Sequence, residues 1–359
     1  MIDADAFAAL LCEWCLQARA REQILINSST LALPLVRSLH RALLDREAWP
    51  LLRLAPPWLA EDFYRHAGDE QLDNAPAIEL LEAQHADASV RIDAPANVRA
   101  LAGTDPVAIS RAARARAAVR EARLARRWST TLWPTPALAQ QAAMSEADYA
   151  DFVARALFLD TSDPVHAWQE LSTHQQHLVE RLADAREVRI EAEHTDLRLR
   201  VDGRIWINSD GRRNMPSGEV FTGPLEDSAH GSIRFSVPSS PGGVEVSGVE
   251  LRFEQGEVVA ARAATGRGYL EAALATDGGA RRLGELGLGT NRGIDRATGS
   301  ILLDEKIAGT VHLALGRSYP ETGGVNVSAV HWDLICDLRN GGRLSADGET
   351  ISQDGSFVE

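Results

Sequence analysis

Two regimes of hydrophobic spacing divide the chain. In the first, short apolar runs alternate with stretches whose apolar residues recur at helical spacing. Gln23-Ile24-Leu25-Ile26-Asn27 reads as a strand, and the stretch from Leu31 to Ala48 as the helix that follows it. Trp49 to Leu54 is a second strand, stopped by Pro56-Pro57. Trp58 to His66 and Ala75 to Ala86 read as helices, and Val90-Arg91-Ile92 as a third strand. Asp105 to Arg127 reads as one long, arginine-rich helix, with Trp128 to Leu132 a fourth strand behind it. Strand and helix alternating at this spacing predict a parallel sheet with crossover helices. Two further helices, Ser145 to Leu157 and Asp163 to Ala183, each open on a residue suited to N-capping.

From Glu187 onward the helical period fades and glycine becomes frequent. Arg189 to Ala192, Leu197 to Val201 and Ile205 to Ile207 alternate apolar with polar, as does the whole run from Gly243 to Phe253. Asp347-Gly348 and Asp354-Gly355 mark two tight hairpin turns near the end. The pattern predicts an α/β N-terminal domain with a mainly parallel sheet over residues 1–186, followed by a β-rich α+β domain over residues 187–359. A length of 359 residues suits two such domains.

Charge then narrows the function. With 37 basic against 51 acidic residues the formal net charge is −14, which repels phosphate backbones and argues against a nucleic-acid partner. No uninterrupted apolar stretch reaches the roughly 18 residues of a membrane span, and no basic segment followed by an apolar run opens the chain. Three cysteines, Cys12, Cys15 and Cys336, suit a reducing cytoplasm. Cys12 and Cys15 form a C-x-x-C, but they fall inside the helical stretch Ala6 to Arg19 with no second pair to complete a zinc site. They therefore read as buried packing residues. Lys306 is the only lysine, which reads as a coding bias toward arginine.

The densest chemistry lies between Asp304 and Asp337. His331 to Asp337 reads as a strand whose alternation puts His331, Asp333 and Asp337 on one face and Trp332, Leu334 and Cys336 on the other. An imidazole and a carboxylate two residues apart on a strand aim at one point, which is half of a divalent-metal site. The same pair also suits an ordinary surface. His312, among apolar neighbours, fits either a ligand or a neutral core histidine bonded to a carbonyl. Tyr319 fits a core aromatic with its hydroxyl at the surface equally well. Glu219 and Glu285 are lone carboxylates among small or apolar residues, a costly place for a charge unless a cation pairs with it. Gly284 to Gly293 lacks the register and context of a phosphate loop.

Four blocks carry a family resemblance: NMPSGEVFTGP (214–224), GELGLGTN (284–291), DEKIAGTVHLALGRSYPETGG (304–324) and SAVHWDLICDLR (328–339). With them the chain resembles the metallo-aminopeptidases represented by aminopeptidase T and aminopeptidase S, and weaker similarity extends over nearly its whole length. The resemblance implies a C-terminal metal-binding domain with two divalent ions, zinc before cobalt, manganese or magnesium. The ligands it implies are Glu219, Glu285, His312, His331 and Asp333, with Tyr319 beside the metals. Of the carboxylates, Glu285 is the one we expect also to shuttle a proton to the leaving amine. The resemblance further implies a peptide substrate with a free N-terminus and a homodimer. A second reading uses His312, His331 and Asp333 alone as a two-histidine, one-carboxylate iron site, as in a ring-opening dioxygenase of dihydroxypyridine known on a similar scaffold.

Overall fold

A computed structural model of the chain describes residues 2–358. Two compact units form. The first runs through Trp168 and takes back Gly211–Pro216; the second comprises Gln169–Asp210 and everything from Ser217 on.

The first unit is built on a five-stranded sheet. Its strands lie in the order Trp49–Ala55, Gln23–Ser29, Ala88–Asp93, Arg127–Leu132, Asn214–Met215, and every neighbouring pair is parallel. The inner strands bury Ile24, Ile26, Val90 and Ile92, as expected for a sheet covered by helices. The helix Leu33–Leu44 turns Leu35, Val36, Leu39 and Leu43 inward at helical spacing. Asp3 caps the first helix, Ala4–Leu10, which runs on into a π turn over Leu11–Cys15. Cys12 and Cys15 sit buried there outside any disulfide, the Cys15 thiol donating to the Gly211 carbonyl at 3.3 Å, and burial pushes the Cys12 thiol up to about 11. At that value it stays protonated and inert near neutrality.

The long arginine-rich helix is not continuous. It forms two helices, Pro106–Ala115 and Ala117–Leu124, broken at Arg116, whose φ of −94° and ψ of 11° leave the helical region. Tertiary partners explain the break. Arg111 pairs with Asp69 and Asp73 on one neighbouring helix, while Arg116 pairs with Glu79 on another and lies over the Phe63 ring. A straight rod of helix has one fixed set of faces, whereas the break lets each half turn to its own partner.

The second unit holds two antiparallel sheets. An eight-stranded sheet runs Glu257–Arg262, Val249–Glu254, His230–Phe235, Thr195–Arg200, Glu187–Ala192, Arg343–Ala346, Glu349–Gln353, Ser356–Phe357. A five-stranded sheet runs His331–Asp337, Thr310–Gly316, Leu283–Gly289, Glu219–Thr222, Ile207–Ser209. One apolar core lies between them, with Val188, Ile190, Leu197 and Ile233 from the larger sheet and Leu286, Leu288, Leu313 and Leu334 from the smaller. Both terminal hairpins turn where expected. Asp347 and Gly348 have φ of 49° and 87°, Asp354 and Gly355 of 49° and 73°, the positive values that tight hairpin turns need.

The strict alternation from Gly243 to Phe253 becomes ladder only over Val249–Glu254. Gly248 takes φ of +59° and ends the strand, and the residues before it make only isolated bridges, Val246 to Ser239 and Ser247 to Thr265. Alternation alone does not supply a partner strand. Among the described residues no helix is long and apolar enough to cross a membrane.

Candidate metal centre

The five-stranded sheet has one face on the core, so its other face is open to carry polar side chains. Period two decides which ones. With Leu286 and Leu288 in the core, Glu285, Gly287 and Gly289 point the other way; with Val311, Leu313 and Leu315 in the core, so does His312; with Trp332 and Leu334 in the core, so do His331 and Asp333. Strand register brings them level: Gly287 lies opposite His312, Gly289 opposite Glu219, and Asp333 opposite Ala314. Leu283–Gly289 is thus a buried strand, and its glycines serve packing. A Cβ on Gly287 would stand 2.0 Å from Nε2 of His312, so a side chain there would displace the imidazole. Asp337, on the same face further along, is taken by Arg339 and stays apart from the cluster.

Five predicted residues converge. His312 Nε2 lies 3.3 Å from Glu219 Oε2 and 3.5 Å from Glu285 Oε1. His331 Nε2 lies 3.3 Å from Glu285 Oε2 and 3.6 Å from Asp333 Oδ2. Glu285 therefore turns one oxygen to each histidine. Glu219, Glu285 and His312 form one group whose donor atoms all lie within 4.8 Å of one another, and Glu285, His331 and Asp333 form a second. The His331 Nδ1–H donates to the Arg317 carbonyl at 2.8 Å, which leaves Nε2 as the nitrogen facing the cluster. Tyr319 closes one side, its ring edge-on to His331 at 5.0 Å and to Phe221 at 5.6 Å between centroids.

Two further residues, not among the expected ligands, join the cluster. Glu305 groups with His312 and Asp333 within the same 4.8 Å limit. Lys306, taken for a codon effect, has no solvent exposure and donates to Glu219 Oε1 at 2.8 Å and to Glu305. A signal existed: the single lysine of the chain falls inside one of the four resembling blocks, where arginine is otherwise the rule.

The electrostatics are those of crowded carboxylates. Burial pushes Glu219 and Asp333 above the usual carboxylate range. Burial acts on Glu285 in the same direction, but His312 and His331 outweigh it and hold it down at about 2. Burial would lower both histidines, yet the carboxylates beside them win and lift each to about 9. Glu219 Oε2, Asp333 Oδ1 and both ring nitrogens of His312 are buried without a hydrogen-bond partner. Orphaned buried polar atoms are costly. These donors, all oxygen or imidazole nitrogen and without thiolate, fit a divalent cation such as zinc, cobalt or manganese.

The chain is 30% identical to aminopeptidase 2 of Geobacillus stearothermophilus, over 98% of its own length and 95% of that protein's. It is 33% identical to aminopeptidase T of Thermus thermophilus over 55% of its length and 53% of that protein's. The solved structure of wild-type AmpT from Thermus thermophilus superposes with a TM-score of 0.86 at 25% identity, covering 99% of each chain. The 2,5-dihydroxypyridine dioxygenase of Pseudomonas putida KT2440 shares the fold at a TM-score of 0.60 and 14% identity, covering 99% of this chain and 96% of that one. The sequence profile of the family described as thermophilic metalloprotease (M29) matches residues 3–357. The chain belongs to that family.

Proposed function

We propose that the protein is a metal-dependent aminopeptidase that releases N-terminal residues from peptides at a dinuclear centre. In this reading Glu219, Glu285 and His312 would hold one cation, and Glu285, His331 and Asp333 the other. The observation that carries it is the shared carboxylate, one oxygen toward each histidine. Charge calls for cations at this site. Glu219, Glu285, Glu305 and Asp333 stand against Lys306 alone, so with neutral histidines three negative charges are in excess. A single divalent ion brings the net charge to −1 and two bring it to +1. The iron-site reading uses only His312, His331 and Asp333 and gives Glu219 and Glu285 no task; oxygen uptake tests it.

When bound, such ions polarise a carbonyl and lower the pKa of water, supplying the nucleophile for amide hydrolysis. The chain's own groups do the rest. Glu285 takes a proton from the attacking water and passes it to the leaving amine. Tyr319 donates its hydroxyl to the carbonyl oxygen as charge develops there. Zinc is the first choice of ion. Three buried cysteines outside any disulfide suit action in the cytoplasm, and a homodimer is the assembly we propose.

Exopeptidase action makes one requirement testable. Peptides with an acetylated N-terminus should resist cleavage while their free counterparts are cut. Equal rates on both would point to an endopeptidase.

Metal binding should also be coupled to protons. Histidine binds a cation only as neutral imidazole, and without metal both imidazoles titrate at about 9. They are protonated at pH 7, so a cation must displace a proton from each. Affinity is expected to rise as pH climbs through about 9 and to level off above it. Calorimetry at pH 7 in buffers of different ionisation heat should report protons released on metal binding, and a buffer-independent heat would contradict the assignment.

A further inference from the structure

Lys306 is held as firmly as the residues it touches. Its carbonyl accepts from the Asn291 N–H at 3.0 Å and its N–H donates to the Leu303 carbonyl at 3.0 Å. Asp304, just before the Glu305–Lys306 pair, accepts from the Thr298 N–H and hydroxyl at 2.7 and 2.8 Å and from the Gly299 N–H at 2.8 Å. The segment that presents the ammonium is therefore tied down on both sides. An ammonium is a compact point charge with three donors, whereas a guanidinium spreads its donors over a plane. A chain that uses arginine at every other basic position has lysine at this enclosed point.

The two oxygens of Glu219 have different fates. Oε1 accepts from Lys306 at 2.8 Å. Oε2 faces His312 at 3.3 Å and has no hydrogen-bond partner. Glu305 shares the same ammonium and is the most solvent-reachable carboxylate of the cluster, with 15% side-chain exposure against 6% for Glu219 and Glu285. We infer that Lys306 is a positioning residue of the metal centre: it claims Oε1 of Glu219, so that this carboxylate offers a cation Oε2 alone, and it tethers Glu305 as an outer carboxylate. The inference rests on the ligand set proposed above.

Cobalt loading of the full chain tests it, read by binding affinity and by the visible absorption of the bound ion, which reports its coordination. Loss of an outer partner of a ligand costs about 10–100-fold in metal affinity. Lys306→Met is expected to weaken cobalt binding by that factor and to change the visible spectrum as Oε1 is freed. The double variant Lys306→Met with Glu305→Gln removes one positive and one negative charge, so the net charge of the site stays as it was. It leaves no unpaired Glu305 charge, so it carries the test if the single variant does not fold. It should show the same weakened affinity and altered spectrum. Wild-type affinity and spectrum in the double variant would overturn the inference, because charge balance alone would then account for Lys306. A wild-type protein that binds no cobalt would overturn the metal-centre reading and this inference with it. Tight binding by wild type and variants alike would overturn this inference alone.

Discussion

Glu285→Gln is expected to lose bound metal and peptide hydrolysis together, with kcat down about 10²–10⁴-fold, the range a positioned acid or base supplies. The substitution keeps the shape of the side chain and removes its charge. Glu285 is the residue on which both donor groups depend, with one oxygen toward His312 and the other toward His331. Two neighbouring histidines hold its carboxylate at about 2, so it is ionised throughout the working pH range. A neutral amide in its place leaves each group with a single carboxylate, Glu219 or Asp333. Metal content per chain and turnover of aminoacyl amides should be measured on the same sample. Full metal content with activity lost would confine Glu285 to proton transfer, and normal turnover would contradict the assignment.

Tyr319→Phe should separate catalysis from metal binding. We expect kcat to fall on the order of a hundredfold, KM to change little and metal content to stay intact. Loss of one donor to a developing oxyanion costs about that much, and a contact made only in the transition state appears in kcat. Burial raises the Tyr319 phenol above its ordinary value, and the Glu285 and Asp333 charges raise it further. The hydroxyl therefore remains a donor well into alkaline solution. The ring is wedged between Phe221 and His331, so phenylalanine keeps its packing. A variant that loses metal would make the tyrosine a ligand or the support of one, and unchanged turnover would make it a packing residue.

One pair of the cluster was legible because strands have a strict period, whereas Glu219, Glu285 and His312 were joined to it only by the family resemblance. His331 and Asp333 share a face two residues apart, and the structure keeps them there, 3.6 Å apart at their nearest atoms. The parallel sheet of the first unit was equally legible, since its inner strands are nearly continuous apolar runs punctuated by helices. What stayed hidden depended on partners distant in sequence. The break at Arg116 follows from Glu79 and Phe63, more than 30 residues away. The run before Gly248 alternates without a strand to pair with. Lys306 and Glu219 are 87 residues apart, so nothing local separates a structural cation from a compositional accident. The spacing of GELGLGTN did not disclose that Gly287 makes room for the His312 ring.

Metal titration of the metal-free protein tests the central claim most directly. Zinc is added stepwise to a verified metal-free sample while hydrolysis of an aminoacyl amide is followed. The expected result is no activity at the start and a rise that saturates at two equivalents per chain, as two donor groups sharing Glu285 require. Full activity before any metal is added would contradict the claim, and so would saturation at a single equivalent.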